Sequence, residues 1–246
     1  MILRQFLHAD PVAASYLFGC GGQSAGAVVD PVGDIEPYLK AAEATGMRLR
    51  YVIDTHIHAD HISSARELAK AAGAEYVLFA DADVSFPFKR VNDGDLIELG
   101  NVVIRVLHTP GHTPEHISLV VTDRTRSQEP WFILTGHTLM VGDLGRTELA
   151  TSAEEGARIL YRTAQSLKEL PDYLEVLPGA YSGSVCGRSL SGKPTSTIGF
   201  EKRNNEALLI DNEDEFVRIM VADIPVPPAA AATIRAVNSG RDVAAA

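Results

Sequence analysis

The chain has 246 residues, 46% of them hydrophobic, which suffices for one compact core. Its 22 Lys and Arg against 32 Asp and Glu give a formal charge of −10, which argues against a general binder of nucleic acid or anionic membrane. Two cysteines, Cys20 and Cys186, exclude a disulfide framework, and no apolar run approaches the roughly 20 residues that span a bilayer, so a reducing cytoplasmic setting is expected.

In chain order, Ala14–Phe18 and Ala25–Val29 flank a turn at Cys20-Gly21-Gly22 and predict a hairpin. Ile35–Ala44 reads as a helix stopped by Gly46, Leu49–Ile53 as a strand, His61–Ala72 as a helix stopped by Gly73, and Tyr76–Phe79 as a strand. Leu96–Leu99, Val102–Leu107, Ile117–Thr122 and Trp131–Leu134 follow as strands separated by turn signals such as Asn92-Asp93-Gly94-Asp95. Ala157, Leu160, Tyr161, Ala164 and Leu167 have helical spacing, predicting an amphipathic helix over Ala153–Leu170, with a strand at Leu174–Leu177 behind it. This order predicts an α+β architecture: two sheets face to face, helices outside, and ligand-bearing loops at one edge. Residues 1–223 are read as one domain. Residues 224–246 are read as a tail that opens with the Pro- and Ala-rich Ile224–Ala232 and continues through one short helix to a flexible end.

The chemistry concentrates in Thr55-His56-Ile57-His58-Ala59-Asp60-His61, directly after a predicted strand. Three imidazoles and a carboxylate on a turn can converge on one point, and zinc, iron and manganese all accept such donors. The alternative is a solvated loop that happens to be rich in histidine, a poor explanation when the chain holds only 8 histidines. A second turn, His108-Thr109-Pro110-Gly111-His112-Thr113-Pro114, also follows a strand and can aim His112 inward. His56, His58, Asp60, His61 and His112 are the expected ligands. His108 and His116 lie in or beside strands and read as structural.

The two motifs resemble the metallo-β-lactamase superfamily, which implies an αβ/βα four-layer sandwich with a metal site at its edge. Gly142-Asp143-Leu144-Gly145-Arg146-Thr147 and Ser196-Thr197-Ile198-Gly199-Phe200-Glu201 are most similar to its persulfide dioxygenase and glyoxalase II branch. Two positions depart from that branch. Thr135-Gly136-His137 has imidazole where a bridging aspartate is usual, and Pro178-Gly179-Ala180 lacks the usual final histidine. The loss of both disfavours a two-zinc thioester hydrolase and favours one metal, Fe(II) by resemblance with zinc as the alternative, which the resemblance places on His56 and His112 with His137, His58 or Asp60 completing the set.

The loop Gly183 to Lys193 resembles that of persulfide dioxygenases fused to rhodanese domains, which implies that Cys186 carries sulfane sulfur near the metal. Arg188 beside it would lower its thiol pKa, while an inert buried cysteine is the alternative. Asp143 is expected behind the ligands, and Arg146, Arg188 and Lys193 as cations for a glutathione-like substrate. The resemblance thus implies oxidation of a small-molecule thiol persulfide, or of a protein persulfide delivered by a rhodanese-type sulfurtransferase, to sulfite. A zinc-dependent thioester hydrolase is the second reading, and a non-catalytic metal- or sulfur-binding relative the third.

Overall fold

In the computed structural model, which describes residues 1–149, 151–222, 224 and 229–241, strands β1 (Ile2–Ala9) and β2 (Val12–Cys20) form an antiparallel pair. A 3-10 turn at Gly21–Gln23 then leads to β3 (Ala25–Val29), which pairs antiparallel with β2 as the expected hairpin. Helix α1 (Glu36–Ala44) precedes β4 (Arg48–Ile53), and α2 (Ala65–Ala72) precedes β5 (Glu75–Phe79) and β6 (Lys89–Val91). These six strands form one sheet in chain order, with β3 to β6 parallel.

The second half contributes β7 (Leu96–Leu99), β8 (Val102–His108), β9 (Ile117–Asp123), β10 (Phe132–Gly136) and a small hairpin of β11 (Leu139–Met140) and β12 (Asp143–Leu144). Helix α3 (Ala153–Lys168) follows, then β13 (Glu175–Pro178), β14 (Ser196–Thr197), α4 (Ile198–Asn204), α5 (Glu213–Ala222) and α6 (Ala231–Asn238). The second sheet has the order β14-β13-β10-β9-β8-β7.

Phe18, Ile53, Leu99, Ile104 and Phe132 belong to one buried core between the sheets. Tyr38 and Leu68 of α1 and α2 cover the first sheet from outside, and Leu160, Leu167 and Phe216 of α3 and α5 cover the second. The result is the four-layer αβ/βα sandwich. Helix α3 forms where its apolar period places Ala157, Leu160, Ala164 and Leu167 on one buried face, and Ser152 caps it by accepting from the Glu155 amide.

The structure departs from the sequence reading in several places. The helix expected from His61 begins at Ala65, because Ser63 Oγ donates to Asp54 and Ser64 Oγ to the Gly33 carbonyl, holding residues 61–64 in a loop. Strands β1 and β6 and helices α4 and α5 were not anticipated. Of the expected tail, Pro225 to Pro228 lie outside the described residues, whereas α6 docks against the histidine loop. No helix among the described residues is long and apolar enough to cross a membrane.

Candidate metal centre

The histidine loop leaves β4 and is organised by Asp30, one residue beyond β3. Its buried carboxylate accepts from the Thr55 amide at 2.7 Å and the Thr55 hydroxyl at 2.8 Å, and lies 3.2 Å from His58 Nε2. Ring protonation follows from these bonds. The Thr55 hydroxyl spends its proton on Asp30, so at 2.9 Å it accepts from His56 Nδ1 and leaves the His56 Nε2 lone pair free. His58 donates from Nε2 to Asp30, and His112 donates from Nδ1 to the Arg146 carbonyl at 2.8 Å, freeing Nε2. Donation of the remote ring nitrogen to a carboxylate or carbonyl is how metal-binding histidines are oriented.

His137 follows β10 directly. His116 Nε2 accepts from its backbone amide at 3.1 Å, while His116 Nδ1 lies 3.0 Å from the Thr138 hydroxyl. Both His116 nitrogens are therefore engaged, which fits its structural reading. Gly136, at φ 49°, leaves no room for a Cβ, which would lie 2.5 Å from His116 Nε2 and 2.6 Å from Thr55 Oγ1. His108 is likewise structural: its Nε2 lies 2.7 Å from the Pro114 carbonyl and its ring stacks on Phe79.

The free nitrogens converge. One ligand atom each from His56, His112 and His137 lie within 4.8 Å of one another, and the same holds for His58, Asp60 and His61, and for Asp60, His137 and Cys186. His56 Nε2, His58 Nδ1, both Asp60 oxygens and both ring nitrogens of His61 and His137 are buried without a well-formed hydrogen bond. So many orphaned donors facing one another fit a divalent metal rather than a solvated loop.

Burial, reinforced by the neighbouring histidines, holds His56 well below the usual imidazole range. Burial likewise pushes His112 down to about 3, and His137 to about 4 despite the opposing Asp60 charge. These rings are neutral and available as ligands. Burial would also depress His58, but Asp30, aided by Asp60 and Asp54, outweighs it and raises the ring well above its ordinary value. Burial would raise Asp60, yet His61 and His137 hold it well below the carboxylate range.

The remaining expected residues are placed differently. Burial, together with the Asp60 charge, pushes the Cys186 thiol well up, so the expected lowering is corrected. Arg188 donates instead to Asp143, at 2.7 Å from its Nη2 and 2.7 Å from its amide. Asp143 thus holds the cysteine loop rather than an imidazole. The Arg146 side chain is buried, paired with Glu148 and donating to the Val185 carbonyl at 2.9 Å. Lys193 bonds Thr195 and lines a groove of about 570 Å³ with Trp131 and Tyr173, none of whose lining residues belongs to the ligand set. These three cations are not gathered at the metal donors.

Sequence reasoning missed Asn238. Its Nδ2 donates to the carbonyls of His58 at 2.9 Å and His61 at 2.8 Å, and its Oδ1 accepts from the Ser63 amide at 3.0 Å. One turn earlier on α6, Arg235 donates to the Ile57 carbonyl at 2.9 Å and pairs with Glu115, which itself accepts from the Ile57 amide. Helix α6 is therefore a clamp on the histidine loop.

Residues 10–179 match the family described as Metallo-beta-lactamase superfamily. Human mitochondrial persulfide dioxygenase ETHE1 is 28% identical over 89% of this chain and 80% of its own length. The hydroxyacylglutathione hydrolase of Rhodospirillum rubrum is 29% identical over 81% of this chain and 83% of its own. A metallo-beta-lactamase structure from Staphylococcus aureus superposes with TM-score 0.92 at 36% identity, covering 97% of this chain and 72% of that one.

Proposed function

Because the chain belongs to the metallo-beta-lactamase superfamily, we propose that its site holds one catalytic iron on His56, His112 and His137 and oxidises a thiol persulfide to sulfite. The observation that carries this reading is the convergence of these three buried imidazoles within 4.8 Å. A neutral three-imidazole set suits a redox metal with open positions, whereas a two-zinc hydrolase draws on a bridging carboxylate and a final histidine. Here those positions are His137 and Ala180. The similarity to ETHE1 over most of the chain supports the same choice, while the similarity to hydroxyacylglutathione hydrolase keeps thioester hydrolysis as the second reading.

When bound, the iron supplies a redox-active centre at which dioxygen and the persulfide sulfur meet. The chain's own residues perform the rest. Thr55 and the Arg146 carbonyl fix the orientations and tautomers of His56 and His112, so that lone pairs rather than N–H groups face inward. Burial of the ligand set excludes bulk water from competing for it. Glutathione persulfide is the proposed small substrate, and a protein persulfide from a rhodanese-type sulfurtransferase the proposed macromolecular one.

The test is metal analysis of protein purified anaerobically, followed by oxygen uptake with glutathione persulfide. About one iron per chain and persulfide-dependent uptake that is lost in His112→Ala are expected. Two zinc ions, no iron and turnover of a glutathione thioester would replace this reading with the hydrolase.

A further inference from the structure

Among the described residues, the exposed Phe, Tyr and Trp side chains are Trp131 at 51%, Tyr173 at 56% and Phe200 at 52%. All three line the groove of about 570 Å³ that holds none of the metal donors. Trp131 and Tyr173 also line a second groove of about 400 Å³ beside it, so the two form one aromatic trough. Single apolar residues are common on any surface, but exposed aromatics gathered along one trough mark a recognition surface. The platform is rigid. The Trp131 amide donates to the Val121 carbonyl at 2.8 Å, and its carbonyl accepts from the Glu175 amide at 3.3 Å. The Gly199 amide donates to the Asp172 carbonyl at 2.9 Å, fastening the neighbours of Phe200 and Tyr173 to each other, and a Cβ on Gly199 would lie 2.8 Å from that of Asp172. Such preorganisation lowers the cost of binding.

The charges along the trough decide what it takes. Glu175 lines it half-buried, with no hydrogen bond or ion pair to its carboxylate among the described residues. Glu129, in the second groove, accepts from the Tyr173 hydroxyl at 3.3 Å. The cations nearby are spent or outnumbered: Lys193 bonds Thr195, Lys202 and Arg203 pair with Asp172, and Arg126 shares the second groove with Asp123 and Glu129. Carboxylate beside exposed aromatic rings is complementary to a guanidinium, which pairs with the one and stacks on the other. The trough also runs along Thr195, Ser196 and Thr197, and β14 is the last strand of its sheet, so no strand covers its outer edge. An extended peptide is the form of backbone that such an edge accepts.

We propose that this trough docks an arginine-bearing extended segment of another protein, laid beside β14 with a guanidinium between Glu175 and the aromatic rings. A second copy of this chain fits worse, because it would set Glu175 and Glu129 near their own equivalents in a chain of formal charge −10. The proposal goes beyond the reading above and does not depend on the chemistry at the histidines.

Trp131 is the chain's one tryptophan, so its emission reports occupancy of the trough in the unaltered protein. The full-length protein is titrated with a capped hexapeptide alternating threonine and arginine, and with the same peptide carrying citrulline, the neutral analogue of arginine. A saturable shift in emission is expected with the arginine peptide, and binding roughly tenfold weaker with citrulline. Glu175→Gln should weaken the arginine peptide roughly five- to tenfold, whereas Glu67→Gln on α2, which covers the other sheet, should leave it unchanged. No saturable shift up to about 1 mM peptide, equal affinity for both peptides, or equal weakening by Glu67→Gln overturns the proposal. Methylguanidinium binding as tightly as the peptide overturns it in favour of a small organic cation. Emission that shifts on dilution together with the sedimenting mass overturns it in favour of a second copy.

Discussion

The carbonyl of Arg146 accepts from His112 Nδ1 at 2.8 Å while its amide donates to the carbonyl of Cys186, so one residue's backbone ties the turn bearing His112 to the cysteine loop. Gly145, immediately before it, is packed so closely that a Cβ would lie 2.1 Å from the His137 carbonyl and 3.0 Å from His112 Nδ1.

Gly145→Ala is therefore expected to displace two ligands at once. Metal affinity, measured by competition with a chromogenic chelator, should fall at least roughly tenfold. Gly22→Ala, where a Cβ meets nothing within 4 Å, should leave it unchanged and serves as the control.

Asn238→Ala removes both amide donors that hold the His58 and His61 carbonyls. The buried carbonyls lose partners worth roughly 1–3 kcal/mol together with the loop's rigidity. Metal dissociation should accelerate while the circular dichroism spectrum stays native. Asn238→Asp should be worse, because a carboxylate then faces two carbonyl oxygens. Equal dissociation rates in all three proteins would remove the clamp from the account.

Asp143→Ala strands Arg188 and frees the loop at Ser189. The loss should be about 2–3 kcal/mol, less than for a fully enclosed ion pair because Arg188 keeps part of its surface in water. Limited proteolysis should then cut between residues 183 and 193 under conditions that spare the wild type.

Acid should destabilise the metal-free protein. His56, His112, His116 and His137 are all held below the free imidazole value of 6.5 by burial first, so the unfolded chain binds protons that the native state refuses. Their contribution is present above pH 6.5 and is lost as pH falls from there towards about 4 for His137 and about 3 for His112. His58, raised well above 6.5, acts in the opposite sense, contributing below 6.5 and losing that contribution as pH rises through its native value. His8 is lowered by burial as well, and five such rings against one set the net direction. Urea midpoints of the apoprotein should drop from pH 7 to pH 5, and a flat profile would contradict the burial of these rings.

Ala180→His alone should cost about 1–3 kcal/mol through overpacking against the Cys186 and Met140 cluster. Cys186→Ala in the same chain should recover most of that loss if the two side chains share one space. Thermal midpoints of the two single variants and the double variant give the coupling directly.

Much of the site could be read from short-range sequence. His56, His58, Asp60 and His61 lie on one turn, and His112 on another shaped by Pro110 and Gly111, so local spacing announces both. Long-range partners could not be read this way. Arg188 is two residues from Cys186, yet its charge is committed to Asp143, 45 residues earlier. The sandwich followed from alternating apolar runs, but β1 escaped because Arg4 and Gln5 are adjacent exposed positions that break its alternation. Helix α5 did carry an overlooked signal, since Asn212 precedes Glu213, Asp214 and Glu215 and accepts from the Glu215 amide.

The clamp also has a consequence in time. Asn238 is 177 residues after His61, so at roughly 5–20 residues per second the ligand loop emerges on the order of ten to thirty-five seconds before the side chain that fastens it. Throughout that interval the nascent chain carries its histidines on an unfastened turn. The turn is fastened only when α6 arrives, so the order of the histidine loop depends on a helix that leaves the ribosome long after it.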